Sequence, residues 1–267
     1  MTGRLGLVLS GGFLRGAFQV GVVEALHGFG LRFGVVAGVS SGAWNAACVA
    51  TGQIHEMREF WLAVARAPKL RWRNVWRHAT PSNFPEIVRS VPMRKLCFER
   101  LRSSGVRLRI GATSIRERRL RWFESWTSRE AFFDTLMASN YLPGLYGPPI
   151  RIDGRYYADG GFADNVPYEA ALEAGCERVL VVVPDWRGRI WKRLASRAPH
   201  AVPSASRERL TVIHPDAPLP IGRLRTTPEE VLRCIAAGHR AAEKVLAEFP
   251  DWEGFARAPA QTEETKP

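Results

Sequence analysis

Three short stretches of this chain carry residue types suited to acyl-transfer chemistry. Gly38-Val39-Ser40-Ser41-Gly42 has the form G-x-S-x-G, which places a serine at the tip of a sharp strand-to-helix turn. Glycine at positions 38 and 42 removes the Cβ atoms that would clash in so tight a bend. Ser40 would then lie at a helix amino terminus, where unpaired N–H groups and the helix dipole favour developing negative charge. Ser10-Gly11-Gly12-Phe13-Leu14-Arg15-Gly16 is a second glycine-rich loop, and the backbone N–H groups of Gly11, Gly12 and Phe13 are candidates for an oxyanion hole. A base for the serine is offered by Asp159-Gly160-Gly161, whose glycines allow a turn that aims the carboxylate at a neighbour, or by one of six histidines. The glycine loop does not fit a dinucleotide site. Phe13 breaks the G-x-G-x-x-G pattern, and Gly38 stands where an acidic residue would end the second strand.

The elements that must position these residues are legible from apolar spacing. Leu5 to Leu9 is a short apolar run bounded by glycine, and Gly16 to Phe29 carries Phe18, Val22, Ala25, Leu26 and Phe29 at helical spacing. Phe33 to Val39 predicts a second buried strand and Gly42 to Thr51 a small-residue helix. Two consecutive βα units predict an α/β fold with a mainly parallel central sheet covered on both faces. They also put the glycine loop and Ser40 at the same carboxyl edge of that sheet. Residues 53–105 break the rhythm and read as a helical insertion or cap, opening with an amphipathic helix that contains Ile54, Met57, Trp61 and Val64. Beyond it the pattern predicts a strand pair at Arg107 to Thr113 and Leu120 to Ser125, then a helix from Arg129 to Ala138 and a short strand from Arg155 to Ala158. A helix at Tyr168 to Ala174, strands at Arg178 to Val183 and Leu210 to Ile213, and a long amphipathic helix at Pro228 to Glu248 complete one domain over residues 1–255. The polar residues 256–267 read as a disordered tail.

Composition narrows the class. With 267 residues, 46% apolar and 24% charged, the chain can bury one large core and is too hydrophobic to be disordered. Cys48, Cys97, Cys176 and Cys234 show no CxxC pair and no histidine at ligand spacing, so no metal, cofactor or disulfide framework is expected and a reducing, cytoplasmic compartment fits. There is no signal-peptide core and no apolar run approaching the roughly 18 residues of a membrane span, so the sequence reads as soluble and unexported. The net charge of +12 is concentrated: Arg66 to Arg121 holds 16 Lys or Arg against Glu86, Glu99 and Glu117. Such a block suits an anionic membrane surface, nucleic acid or an acidic substrate, and equally an arginine-rich solvated face. No helix-turn-helix, finger or RNA-binding signature favours nucleic acid.

Taken in order, these motifs resemble the patatin-like phospholipases, a family of serine lipid acyl hydrolases with bacterial members, over Leu7 to about Leu246. The residues that carry the resemblance are Gly11, Gly12, Arg15 and Gly16 in the first loop, Gly38 to Gly42, and Asp159 to Gly161. Weaker echoes are Ala138-Ser139 with Leu142-Pro143-Gly144, and Asn165-Val166-Pro167. The resemblance implies a three-layer α/β/α fold and hydrolysis of lipid carboxylic esters, of phospholipase A or lysophospholipase type. It also implies a Ser-Asp dyad in which Ser40 attacks the ester carbonyl and Asp159 takes and returns the proton, with no histidine required. An exposed aspartate, with pKa about 3.9, is a weak base, so burial or positioning must raise it. One departure stands out: Phe13 occupies the third glycine of the loop, and Phe resists positive φ. Arg15 either steadies this loop, attracts an anionic head group, or is an ordinary surface arginine.

Two alternatives remain open at this level. An α/β-hydrolase esterase would use a Ser-acid-His triad, for which His200, His214 and His239 follow Asp159. A catalytically inactive relative would bind lipid or nucleic acid through its basic block. Within the insertion, Phe60, Trp61, Trp72, Trp76 and Phe84 interleave with basic residues, and Trp186 to Leu194 has the same composition. That mixture suits the lipid interface, giving peripheral contact at the inner membrane face, or else a packed cap whose tryptophans face their own core. The expected partner is a lipid or acyl-ester substrate.

Overall fold

Leu5–Leu9 forms strand β1 and is buried at every position. Leu5, Leu7 and Leu9 join one hydrophobic cluster and Val8 a second, so both faces of the strand are covered and it reads as a continuous apolar run. The computed structural model describes residues 4–185 and 208–248, less 73, 79, 91–94, 147 and 223–225, together with Trp252 and Phe255. Around β1 lie β2 (Val35–Val39), β3 (Arg107–Ser114), β4 (Arg119–Phe123), β5 (Ile150–Ile152), β6 (Arg155–Ala158), β7 (Arg178–Val182) and β8 (Leu210–Ile213). The sheet order is β5-β6-β3-β2-β1-β7-β8, with β4 paired to β3.

The pairs from β3 through β2, β1 and β7 to β8 are parallel, whereas β3-β4, β3-β6 and β5-β6 are antiparallel. The sheet is therefore mixed, and for β3-β4 and β5-β6 the cause is connection length. A parallel crossover needs about a dozen residues or more. Only Ile115 to Arg118 join β3 to β4, and Asp153 and Gly154, both at positive φ, turn β5 into β6. That Asp-Gly pair is a hairpin signal that spacing of apolar residues alone passes over, and with it strand β5.

Helices α1 (Ala17–Gly28), α2 (Ser41–Ala50), α3 (Ile54–Arg66), α7 (Arg129–Ser139) and α9 (Pro228–Glu248) contribute to the larger cluster. On the opposite face the short α8 (Glu169–Glu173) adds Ala170 and Ala171 to a smaller one. The result is three layers of unequal thickness. The insertion folds as α3, α4 (Asn74–His78), α5 (Phe84–Ser90) and α6 (Phe98–Ser103), and it shares the main core through Met57, Phe60, Trp61, Phe84, Ile87 and Phe98. The aromatic set expected to meet lipid thus divides. Phe60 and Trp61 are buried because α3 packs on α1, α2 and α9, and Phe84 because its ring meets those of Phe13 and Tyr146, while Trp72 and Trp76 are 77% and 92% exposed. Trp186 to Leu194, His200 and the tail at 256–267 lie outside the described residues. No described helix is long and apolar enough to cross a membrane.

Candidate active site

Strand β3 has two edges, and the pairing registers say what occupies each. β4 takes one edge along Ile110 to Ser114. Along the other, β2 runs parallel from Arg107 to Gly111, and β6 runs antiparallel against Thr113 and Ser114. The carboxyl ends of β2 and β6 therefore point at each other and meet opposite Gly111 and Thr113. Ser40 is the residue after β2, and Asp159 is the residue after β6. This end-to-end abutment brings together two groups far apart in the chain.

Each is pinned by its backbone. Ser40 N–H donates to Ser139 Oγ at 3.0 Å, and that hydroxyl donates to the Gly111 carbonyl at 2.6 Å. Asp159 N–H donates to the Tyr141 carbonyl at 2.8 Å, and Thr113 Oγ1 donates to the Asp159 carbonyl at 2.7 Å. Ser40 has φ 54° and ψ −133°, a strained conformation for a non-glycine residue and the geometry of a nucleophile elbow. The flanking glycines are required sterically: a Cβ at Gly38 would fall 2.5 Å from the Gly42 carbonyl oxygen, and one at Gly42 would fall 2.1 Å from that of Leu9. Gly16, Gly160 and Gly161 are equally confined, by the Trp61 ring, the Gly111 carbonyl and the Asn165 amide oxygen.

Asp159 is 5% exposed. Burial pushes its carboxyl up to about 6, partly offset by hydrogen bonds from the Ser40 hydroxyl and the Gly161 N–H. The latter donates to Oδ1 at 2.8 Å. The carboxylate is thereby a stronger base than a free aspartate while remaining ionised at neutral pH.

In the first loop, Gly11 N–H donates to the Asn165 carbonyl at 3.2 Å and Gly12 N–H to Ser41 Oγ at 3.0 Å. Two of the three amides assigned to an oxyanion hole are thus engaged in holding the loop. Phe13 begins a short 3₁₀ turn (Phe13–Gly16), and its N–H has no acceptor among the described residues. Phe13 does adopt positive φ, at 53°. The left-handed backbone costs about 1–2 kcal/mol for a residue with a side chain. Its ring lies 5.1 Å from that of Phe84, centroid to centroid, so cap packing offsets the strain. Arg15 donates through Nε to the Gly12 carbonyl at 3.4 Å and reaches Asp185 at 3.3 Å, which makes it a tether of the loop.

The two triad candidates among the described residues, His214 and His239, are engaged elsewhere. His239 Nε2 lies 2.8 Å from Glu24 between α9 and α1, and His214 is exposed with Nδ1 3.1 Å from the Pro215 carbonyl oxygen. Neither contacts Ser40 or Asp159.

The sequence model of the patatin-like phospholipase family matches residues 7–172, more than half of the chain. The chain belongs to this family. Lysophospholipase nte1 of Aspergillus terreus is 31% identical over 185 residues, which cover 64% of this chain and 11% of the relative. Lysophospholipase NTE1 of Meyerozyma guilliermondii is 32% identical over 191 residues, covering 67% and 12%. The chain thus spans only a small part of the length of these relatives. Among solved structures, VipD from Legionella pneumophila aligns over 99% of this chain and 73% of its own, with TM-score 0.56 at 17% identity, a likeness of fold.

The patatin-like site also rests on residues that motif reading underrated. Ser139 and Asn165 appeared only as weak echoes, and Thr113 gave no signal because a threonine in a strand is unremarked. Buried polar residues on otherwise apolar helices were a usable clue. Gln19 Nε2 donates to the Ser10 carbonyl at 2.8 Å, Asn45 Nδ2 to Gln19 Oε1 at 2.8 Å, and Trp61 Nε1 to Asn45 Oδ1 at 3.1 Å, locking α1, α2 and α3 behind the loop. In front of Ser40 this patatin-like fold has an apolar cavity lined by Phe13, Trp44, Trp61, Phe84, Leu142 and Tyr146. Its volume of about 30 Å³ is that of one or two water molecules.

Proposed function

We propose that this chain is a serine lipid acyl hydrolase that cleaves carboxylic esters of phospholipids or lysophospholipids. The observation that supports this reading is the meeting of β2 and β6 on one edge of β3, which sets Ser40, the residue after β2, near the buried carboxyl of Asp159, the residue after β6, whose pKa burial pushes up to about 6. Asp159 accepts the hydroxyl proton as Ser40 Oγ bonds to the ester carbonyl carbon. The resulting oxyanion is held by the Phe13 N–H and by the open first-turn N–H groups of α2, whose dipole favours the charge. Gly12 N–H can join them once Ser41 Oγ turns away. Asp159 then returns the proton to the leaving alkoxide, which departs as the alcohol and leaves an acyl-enzyme on Ser40. A water molecule gives a proton to Asp159 and attacks the acyl carbon, and Ser40 leaves with that proton restored. The apolar walls of Phe13, Trp44, Trp61 and Phe84 suit an acyl chain.

The test is turnover of a monomeric p-nitrophenyl ester by the whole chain. Ser40→Ala and Asp159→Asn are expected to lower kcat by about 10³-fold or more each, and to be no worse in combination, because the two act as a unit. His214→Ala and His239→Ala are expected to retain the parent rate. Activity that survives in folded Asp159→Asn, or disappears in a histidine variant, overturns the dyad.

A further inference from the structure

Leu70, Trp72, Val75 and Trp76 are 62%, 77%, 41% and 92% exposed, four large apolar side chains within seven residues. A cluster of this kind on a water-facing surface marks contact with something apolar. It is displayed by a braced scaffold. Leu70 bridges Ser82, Arg71 N–H donates to the Pro81 carbonyl, and Asn83 N–H donates to that of Lys69. Asn74, between the two tryptophans in the chain, is fully buried and donates to the Ser82 carbonyl at 3.0 Å and Asn83 Oδ1 at 3.2 Å. The apolar side chains therefore do not face outward for want of structure.

The electrostatic surroundings select what they meet. From Arg66 to Pro85 the chain has Arg66, Lys69, Arg71, Arg73 and Arg77 and no acidic residue. Arg66 is exposed, and Arg71 shares its charge with Glu86 at 3.5 Å. Lys69 is turned inward, donating to the Val64 and Ala67 carbonyls at the end of α3, so it serves the fold. Tryptophan at the surface among arginines is the composition of a segment that enters the head-group region of an anionic bilayer. The same stretch continues into α5, whose Phe84, Ile87 and Val88 wall the cavity in front of Ser40, and Thr80 Oγ1 donates to the Gly144 carbonyl beside that cavity at 2.5 Å.

We infer that Leu70, Trp72, Val75 and Trp76 form a docking surface that inserts into the interface of an anionic phospholipid bilayer beside the mouth of the Ser40 cavity. The inference deepens the lipid-hydrolase reading in its choice of substrate form, but its binding arm stands without catalysis. The experiment is co-sedimentation of the whole chain with phosphatidylcholine vesicles and with vesicles containing one third phosphatidylglycerol, at low and high salt. Parent protein is expected to bind the anionic vesicles, more weakly at high salt, with a blue shift of tryptophan emission. Trp72→Ala/Trp76→Ala is expected to lower that binding at least ten-fold and lose the shift, while its turnover of a monomeric p-nitrophenyl ester stays at the parent level. Equal binding to both vesicle types, unchanged binding of the double variant, or conversion of a parent dimer to a monomer by the double variant overturns the inference. If no ester is hydrolysed by either protein while the vesicle result holds, the docking surface stands and the hydrolase reading falls.

Discussion

Under the proposed mechanism, the burial of Asp159 trades stability for chemistry. Its carboxyl titrates near 6 in the folded protein because burial disfavours the charged form, whereas in the unfolded chain it returns to the ordinary range near 3.8. The folded state therefore holds the proton more tightly, and the stability this confers is fully present below about pH 4 and lost as pH rises through 6. Asp159→Asn removes the buried charge and is expected to stabilise the protein by on the order of 2–3 kcal/mol at pH 8, with the gain shrinking toward zero below pH 4. Denaturant unfolding across that range checks it; a variant less stable than the parent at pH 8 would contradict the assigned cause. In the proposed dyad the ionised form is the base, so turnover is expected to rise with pH through an apparent pKa near 6. Phe13 is the second such residue. Phe13→Gly relieves the positive φ and empties ring volume beside Phe84, so it is expected to keep or raise turnover and to shift preference toward longer acyl chains. A chain-length series of p-nitrophenyl esters reads this, and a folded but inactive glycine variant would argue against the place given to the loop.

Helices α1 and α9 pack closely against each other, and two glycines permit it. A Cβ at Gly21 would fall 1.9 Å from the Ile235 carbonyl oxygen, and one at Gly238 would fall 2.1 Å from that of Phe18. Both obstacles are backbone, which cannot rotate away. Gly238→Ala is expected to cost about 1–3 kcal/mol by forcing the helices apart, which corresponds to a drop of about 2–4 °C in Tm per kcal/mol. Gly28→Ala, at the open end of α1 with nothing within 4 Å, serves as the control and is expected not to lose stability. Helix periodicity located both partners to within a residue or two, since Val231, Cys234, Ile235, Gly238 and Ala242 repeat every three or four positions along α9. That the two helices meet through their glycines was not legible, because spacing reports which face is apolar and not which neighbour covers it.

Over the whole molecule, the cap is not a separate body. Phe84, Ile87, Val88, Leu96 and Phe98 belong to the same cluster as Leu108 and Ile110 of β3, so insertion and sheet share one core. Thermal unfolding is expected to follow one transition by both far-ultraviolet dichroism and tryptophan fluorescence; two separated transitions would show the cap to be an independent unit. Charge is likewise a property of the whole: a net +12 favours anionic surfaces, and burial then decides which aromatics can use it, retaining Phe60, Trp61 and Phe84 inside and leaving Trp72 and Trp76 outside.

Local pattern alone was enough for the βα units, the elbow at Ser40, the turn at Asp159 and the family, because each depends on residues adjacent in the chain: glycines that spare a Cβ, apolar periods of two or 3.6. The basicity of Asp159, the commitment of the Gly11 and Gly12 amides, the tether made by Arg15 and the sorting of the tryptophans were settled by tertiary structure. Each of those depends on partners brought in from elsewhere, above all by the meeting of β2 and β6 on one edge of β3, and desolvation and hydrogen bonding exist only once those partners are in place.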